Sequence, residues 1–237
     1  MINGKIVAWR GVVVVLAGLL VFNLLNNWLL PAATPVTRPI EVLLLVALAR
    51  AYDLTWRELG LARTTWARGL RWAAVAVGIV AAGFAVAFAL PMTRTAFLDR
   101  RGEMAIGTAF FEAAVPVFVG TVLLEELAFR GVLWAMVNRV RGPVYATLVS
   151  SVAFGLWHVL PSLDIRGTNS AIGDLAGGGA AAGVAVAVLS VAATTLAGVL
   201  LCELRRRSES LLAPIGLHWA TNGLGYVFAA LAWAGAE

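Results

Sequence analysis

Two adjacent carboxylates and a guanidinium interrupt an apolar run, Thr121-Val-Leu-Leu-Glu125-Glu126-Leu-Ala-Phe-Arg130-Gly131. On a helix, Glu126 and Arg130 stand four residues apart on one face, in the acid-before-base order that favours an ion pair. Glu125 is turned about 100° away and keeps its carboxylate for other work. An ionisable group in a lipid-spanning segment costs at least ~2.5 kcal/mol and is read first as functional. Two more pairs repeat the four-residue spacing in other apolar segments, Phe154 with His158 and His218 with Asn222. Acid–base chemistry needs a group that takes a proton and a donor for developing negative charge. A carboxylate, two imidazoles and an amide could supply both.

The rest of the chain must position these groups in a bilayer. Of its 237 residues 61% are hydrophobic and 13% charged, against about 25% charged in a soluble domain. The composition excludes a soluble globular protein. The net charge of +5 does not mark a nucleic-acid binder, because the cations sit in short loops between apolar runs, where topology places them. Cys202 is the only cysteine, so the chain forms no internal disulfide and has no cysteine cluster for a metal. Lys5 is the only lysine among 18 basic residues, a composition that suggests a bacterial source.

Hydropathy predicts an all-α, polytopic bundle of about seven transmembrane helices forming a single membrane-embedded domain over 1–237. The motif-bearing core covers about 106–233, and the N-terminal spans and an interfacial connector cover 1–105. The expected spans are Gly11–Leu30, Pro39–Tyr52, Gly69–Leu90, Ile106–Val137, Val144–Leu160, Ala180–Leu204 and Leu211–Trp233. The first reads as a retained helix rather than a signal peptide. The second is short enough that it could dip into the bilayer instead of crossing. Trp56, Trp66 and Trp72 with Arg57, Arg68 and Arg71 mark a connector at the headgroup level. Pro161–Gly179 is expected to be a Gly-rich polar loop that could gate the site. With seven crossings, Lys5, Arg10, Arg50, Arg57, Arg63, Arg68, Arg71, Arg139, Arg141 and Arg205–Arg207 share one side. Arg38, Arg94, Arg100, Arg101 and Arg166 fall on the other. That asymmetry places the N-terminus in the cytoplasm. At 1.5 Å per residue, Glu125 and His158 fall within ~5 Å of one level, and His218 nearer the inner face. Trp157 and Trp219 are read as packing beside the histidines.

Glu125-Glu126-x-x-x-Arg130, Phe154-x-x-x-His158 and His218-x-x-x-Asn222, in this order on separate apolar helices, resemble the CPBP intramembrane proteases. That family includes CAAX prenyl endopeptidases and bacteriocin-processing or immunity proteins. The resemblance implies a glutamate-dependent endopeptidase acting in the membrane on a peptide or protein substrate. Glu125 with His158 would activate water, His218 and Asn222 would stabilise the oxyanion, and Glu126 and Arg130 would support the site.

Other chemistries compete for the same residues. Glu125, His158 and His218 also match a two-histidine, one-glutamate zinc site, and the sequence does not decide whether a metal is required. There is no H-E-x-x-H and no G-x-S-x-G. Tyr52-Asp53 and Ile172-Gly173-Asp174 only faintly resemble the aspartyl intramembrane protease pairs, with Ala171 in place of a glycine. A proton-coupled transporter would use buried Glu, Arg and His as a relay. A non-catalytic scaffold or immunity-type protein would use the same fold without turnover.

Overall fold

The computed structural model describes residues 2–163 and 165–236. Among them the chain is helical, and an isolated bridge between Asp99 and Asn169 is the one extended pairing. Seven long helices follow one another: α1 (Ile2–Leu24), α2 (Thr34–Ala51), α3 (Trp66–Ala89), α4 (Ile106–Arg141), α5 (Pro143–Trp157), α6 (Ala180–Ser208) and α7 (Leu212–Ala234). All but α5 and α7 are both long and apolar enough to cross a membrane. With 15 residues α5 rises only about 22 Å, and His218 and Asn222 lower the hydropathy of α7. The protein is an all-α, polytopic membrane bundle.

The central helix is α4. From Leu124 to Val137 every side chain is buried, which an apolar helix achieves only when neighbours surround it. Helix α7 packs along α3 and α4, α5 lies between α4 and α6, and α1 and α2 close the remaining side of α4. Outward faces keep their apolar residues exposed, among them Leu43, Ile79, Val188 and Leu196, as a lipid-facing surface requires. Helices α5 and α6 approach closely because both are glycine where they cross. A Cβ on Gly155 would lie 2.8 Å from Val191 O, and one on Gly198 would lie 2.9 Å from Ser151 Cα.

The connectors sort onto two faces. On one, Arg139 in the last turn of α4 donates to Glu58 and to the carbonyls of Tyr52 and Asp53, while Arg205 of α6 donates to Glu58 O. Leu211 N donates to Gly60 O at 2.8 Å. These bonds gather the α2–α3, α4–α5 and α6–α7 connectors at one end of the bundle. At the other end Asn169 Nδ2 donates to Ala96 O and Trp233 Nε1 to Asp99 O. Helix α2 ends on the arginine-rich face and is long enough to cross from the other. It does not begin at Pro39, as hydropathy suggested: with the preceding turn it covers Pro31–Ala51, 21 residues. Pro39 lies inside α2, where it leaves the Pro35 carbonyl without its helical N–H.

Three further departures concern the site. Helix α5 stops at Trp157, three residues short of the expected Leu160. The ring of Pro161 would clash with the Trp157 carbonyl and lacks the N–H to bond it, and His158 turns off the helix at φ −86°, ψ 2°. Helix α4 is not regular: i→i+5 stretches at Ala113–Leu123, which contains Pro116, and Leu127–Leu133 flank Leu124–Glu126. Such geometry recurs at functional sites. Finally, the expected loop over 161–179 is largely short helical turns, Val159–Ser162, Ile165–Thr168 and Ser170–Ala176.

Candidate active site

Glu125 and Glu126 occupy the short regular segment of α4 and point to different neighbours, as their spacing requires. Glu126 and Arg130 have no exposed surface. Glu126 Oε1 accepts from Arg130 Nη1 at 3.0 Å and from His218 Nδ1 at 2.8 Å. Arg130 also lays its guanidinium over Phe154, 3.9 Å from the ring centroid. Because a carboxylate only accepts, the proton of a neutral His218 is on Nδ1. Its Nε2 lone pair then takes an N–H from Asn222 Nδ2 at 3.1 Å.

Glu125 is held differently. Its Oε1 accepts from Trp157 Nε1 at 3.0 Å, while Oε2 is buried without a hydrogen-bond partner. That free oxygen lies 3.9 Å from His158 Nε2 and 3.8 Å from His218 Nε2. His158 is fixed by its other nitrogen: Nδ1–H donates to Phe154 O at 2.8 Å, so Nε2 turns a lone pair towards Glu125. Phe154 packs at 4.6 Å from the His158 ring and 5.8 Å from the His218 ring. The acid, both imidazoles and the amide thus converge from α4, α7 and the end of α5.

Linear counting put His218 too near the basic end. Ser208, Ser210 and Leu211 are fully buried, so α7 starts inside the bundle and His218 reaches the level of Glu125. Reading Trp157 as packing alone also missed its hydrogen bond to Glu125. An indole N–H buried beside a carboxylate in an apolar segment needs a partner, and that was the available signal. Trp219 donates instead to Ala113 O at 2.9 Å, in the irregular stretch of α4.

Glu125, His158 and Asn222 line a cavity of about 580 Å³ that extends towards the end opposite the arginine-rich connectors. Its walls include Arg38 of α2, Asp99 and Arg101 before α4, and Asn169 in the segment between α5 and α6. As metal ligands the site residues fit poorly. Among the described residues no group of three His, Cys, Asp or Glu donors is disposed to hold an ion, and the Nε2 lone pair of His218 is already taken by Asn222.

A buried carboxylate thus stands between two imidazoles at the wall of a polar cavity within a membrane bundle. The model of the family described as type II CAAX prenyl endopeptidase Rce1-like matches residues 107–224, which hold all of these side chains. The chain belongs to the Rce1-like family and is, at that level, an intramembrane CAAX-type protease, a hydrolase acting on peptides at the bilayer. No curated protein and no solved structure matches the chain.

Proposed function

We propose that Glu125 is the general base of an intramembrane endopeptidase. The observation that carries this reading is its unpartnered Oε2, set 3.9 Å and 3.8 Å from the two imidazole Nε2 atoms at the wall of a polar cavity. These gaps exceed a direct hydrogen bond and suit a water held between carboxylate and imidazole. Such a water gives one hydrogen to Glu125 Oε2 and the other to His158 Nε2, with its oxygen directed at a substrate carbonyl. As the C–O bond forms, the water's proton passes to Glu125 and the carbonyl oxygen becomes an oxyanion. One amide hydrogen of Asn222 is engaged by His218, and the other faces the growing charge. Glu126 fixes the His218 tautomer and so aims Asn222. Breakage of the C–N bond returns the proton from Glu125 to the leaving amine, giving a free amine and a carboxylic acid, whose remaining proton passes to His158 Nε2 and on to water. Every step uses protein groups and water, and none is routed through a metal.

By the positive-inside rule we assign the end that carries Arg57–Arg71, Arg139–Arg141 and Arg205–Arg207, and with it the N-terminus, to the cytoplasm. The cavity then extends towards the opposite leaflet. Protease accessibility of an N-terminal tag in sealed vesicles checks this orientation.

The test of function is reconstitution of the full chain in lipid with a farnesylated C-a-a-X peptide, beside comparative proteomics of cells carrying wild type or Glu125→Ala. Cleavage that vanishes in Glu125→Ala and His158→Ala supports the assignment. Intact substrates in both experiments point to a scaffold, and proton flux without cleavage points to a transporter.

A further inference from the structure

The cavity beyond Glu125 carries two guanidinium groups of unequal standing. Arg101 gives Nε and Nη2 to the two oxygens of Asp99 at 2.9 and 2.8 Å and is neutralised there. Arg38, from α2, has a single side-chain hydrogen bond among the described residues, Nη1 to Thr121 Oγ1 at 3.0 Å. No described carboxylate forms an ion pair with it. Glu41, one turn further along α2, engages both oxygens with Asn26 Nδ2 at 2.9 Å and forms no hydrogen bond with Arg38. Arg38 is therefore a half-buried cation inside a membrane-spanning helix, facing the catalytic cavity with no direct ion pair among the described residues. Cations in such segments mark places where a ligand or a partner is bound.

Its position fixes the reach. Thr121 stands one helical turn before Glu125 on α4, and side chains so spaced are about 5–6 Å apart. The bond from Nη1 to Thr121 leaves Nε and Nη2 open, and that edge of the guanidinium matches a carboxylate with two parallel hydrogen bonds. An extended peptide advances about 3.3 Å per residue. A carboxylate on Arg38 therefore lies roughly one to three residues from a carbonyl held at Glu125.

We propose that Arg38 is a specificity-determining residue that binds a carboxylate of the substrate a few residues from the bond that is cut. The inference rests on the protease reading of the site. Arg38 lies outside the family-matched residues 107–224, so this recognition is a property of the chain's own N-terminal helices. Two sources of the carboxylate share this chemistry, a free peptide C-terminus and an acidic side chain.

The experiment measures binding to the full-length Glu125→Gln protein in nanodiscs, where no turnover occurs. Three probes are compared: a farnesylated C-a-a-X peptide as the free acid, the same peptide as its C-terminal amide, and the amide with Glu at its last position. Binding of the free acid about ten-fold or more tighter than the amide is expected, and Arg38→Gln brings the acid down to the affinity of the amide. Arg38→Lys, which keeps the charge but loses the fork, retains part of the preference. Tight binding of the Glu-terminated amide assigns the side-chain source, and its absence assigns the C-terminus. Equal affinity for all three probes, including no measurable binding of any, overturns the proposal, as does a preference for either carboxylate that survives Arg38→Gln. Failure of the wild type to cleave in reconstituted lipid would instead remove the protease assignment, so the two failures are separable.

Discussion

The family-matched stretch 107–224 and the N-terminal hundred residues contribute to the site in different ways. Helices α4, α5 and α7 deliver the groups suited to chemistry, spaced four residues apart, with both imidazoles within 4 Å of the Glu125 carboxylate. Helices α1 and α2 deliver none of these. Instead they place polar side chains against the core's weak points: Asn23 on the carbonyl of Trp157, and Arg38 on Thr121 one turn before Glu125. The connector after α2 clamps the basic end through Glu58 and Arg139. In a bilayer, hydrocarbon offers no driving force between helices, so such polar bonds carry much of the register between the two regions. The contrast teaches that the reactive groups are local to the core while their alignment is shared.

The largest effect is expected at the centre. Glu125→Gln keeps an acceptor for Trp157 but removes the base. Its kcat is expected to fall about 10³-fold with little change in thermal stability, since a general base contributes 10²–10⁴-fold. Single-turnover cleavage and a melting curve of the same preparation check both halves. Retained turnover would remove Glu125 from the chemistry and leave the core with no advantage over the N-terminal helices. Next comes Trp157→Phe, which keeps the ring packed at 5.7 Å against Phe129 but loses the N–H to Glu125. Hydrogen bonds to charged groups are worth about 1.5–3 kcal/mol, so kcat is expected to drop roughly ten-fold or more. An unchanged kcat would return Trp157 to packing alone.

How far the sequence foretold this arrangement depended on whether a feature was local. The i, i+4 pairs on α4 and α7 were legible because helix geometry alone puts those side chains on one face. Pro161 and Pro116 were visible as well, yet their consequences were not. Each removes a backbone bond, and the partner that takes its place or braces the loosened helix comes from a distant helix: Asn23 for Trp157 O, and Trp219 beside the Pro116 stretch. The true start of α2 was hidden because Pro39 lies inside the helix, whereas a proline ahead of an apolar run reads as its first turn. Arg38 was counted only as a topology charge, since nothing in the sequence tells which way a helix faces.

A third prediction tests the clamp between the regions. Arg139 holds the Glu58 carboxyl down to about 2 against an ordinary 4.5. A depressed acid adds stability above its unfolded value, so this contribution is full above about pH 4.5 and is lost as the pH falls towards 2. Glu58→Gln is expected to lower the melting temperature at pH 7 and to shrink its deficit relative to wild type through that acid window. A deficit independent of pH would mean that the connector packs without the charge.

The smallest effect is expected at Asn23, and it is the most informative about the boundary between the two regions. Pro161 denies Trp157 O its helical partner, and Asn23 Nδ2 supplies the replacement at 2.8 Å across 134 residues of sequence. Both groups are buried, so Asn23→Ala strands a carbonyl at a cost of about 1–3 kcal/mol in stability. The carbonyl belongs to the residue whose indole holds Glu125 and whose neighbour is His158. Its loosening is therefore expected to lower kcat a few-fold while leaving KM unchanged, and restoring the donor with Asn23→Gln should recover part of the loss. A stability loss with kcat intact would make α1 a scaffold only. A kcat loss as large as that of Trp157→Phe would make α1 as much a part of the alignment of Glu125 as the indole itself, and the division at residue 107 would then mark a family boundary and not a functional one.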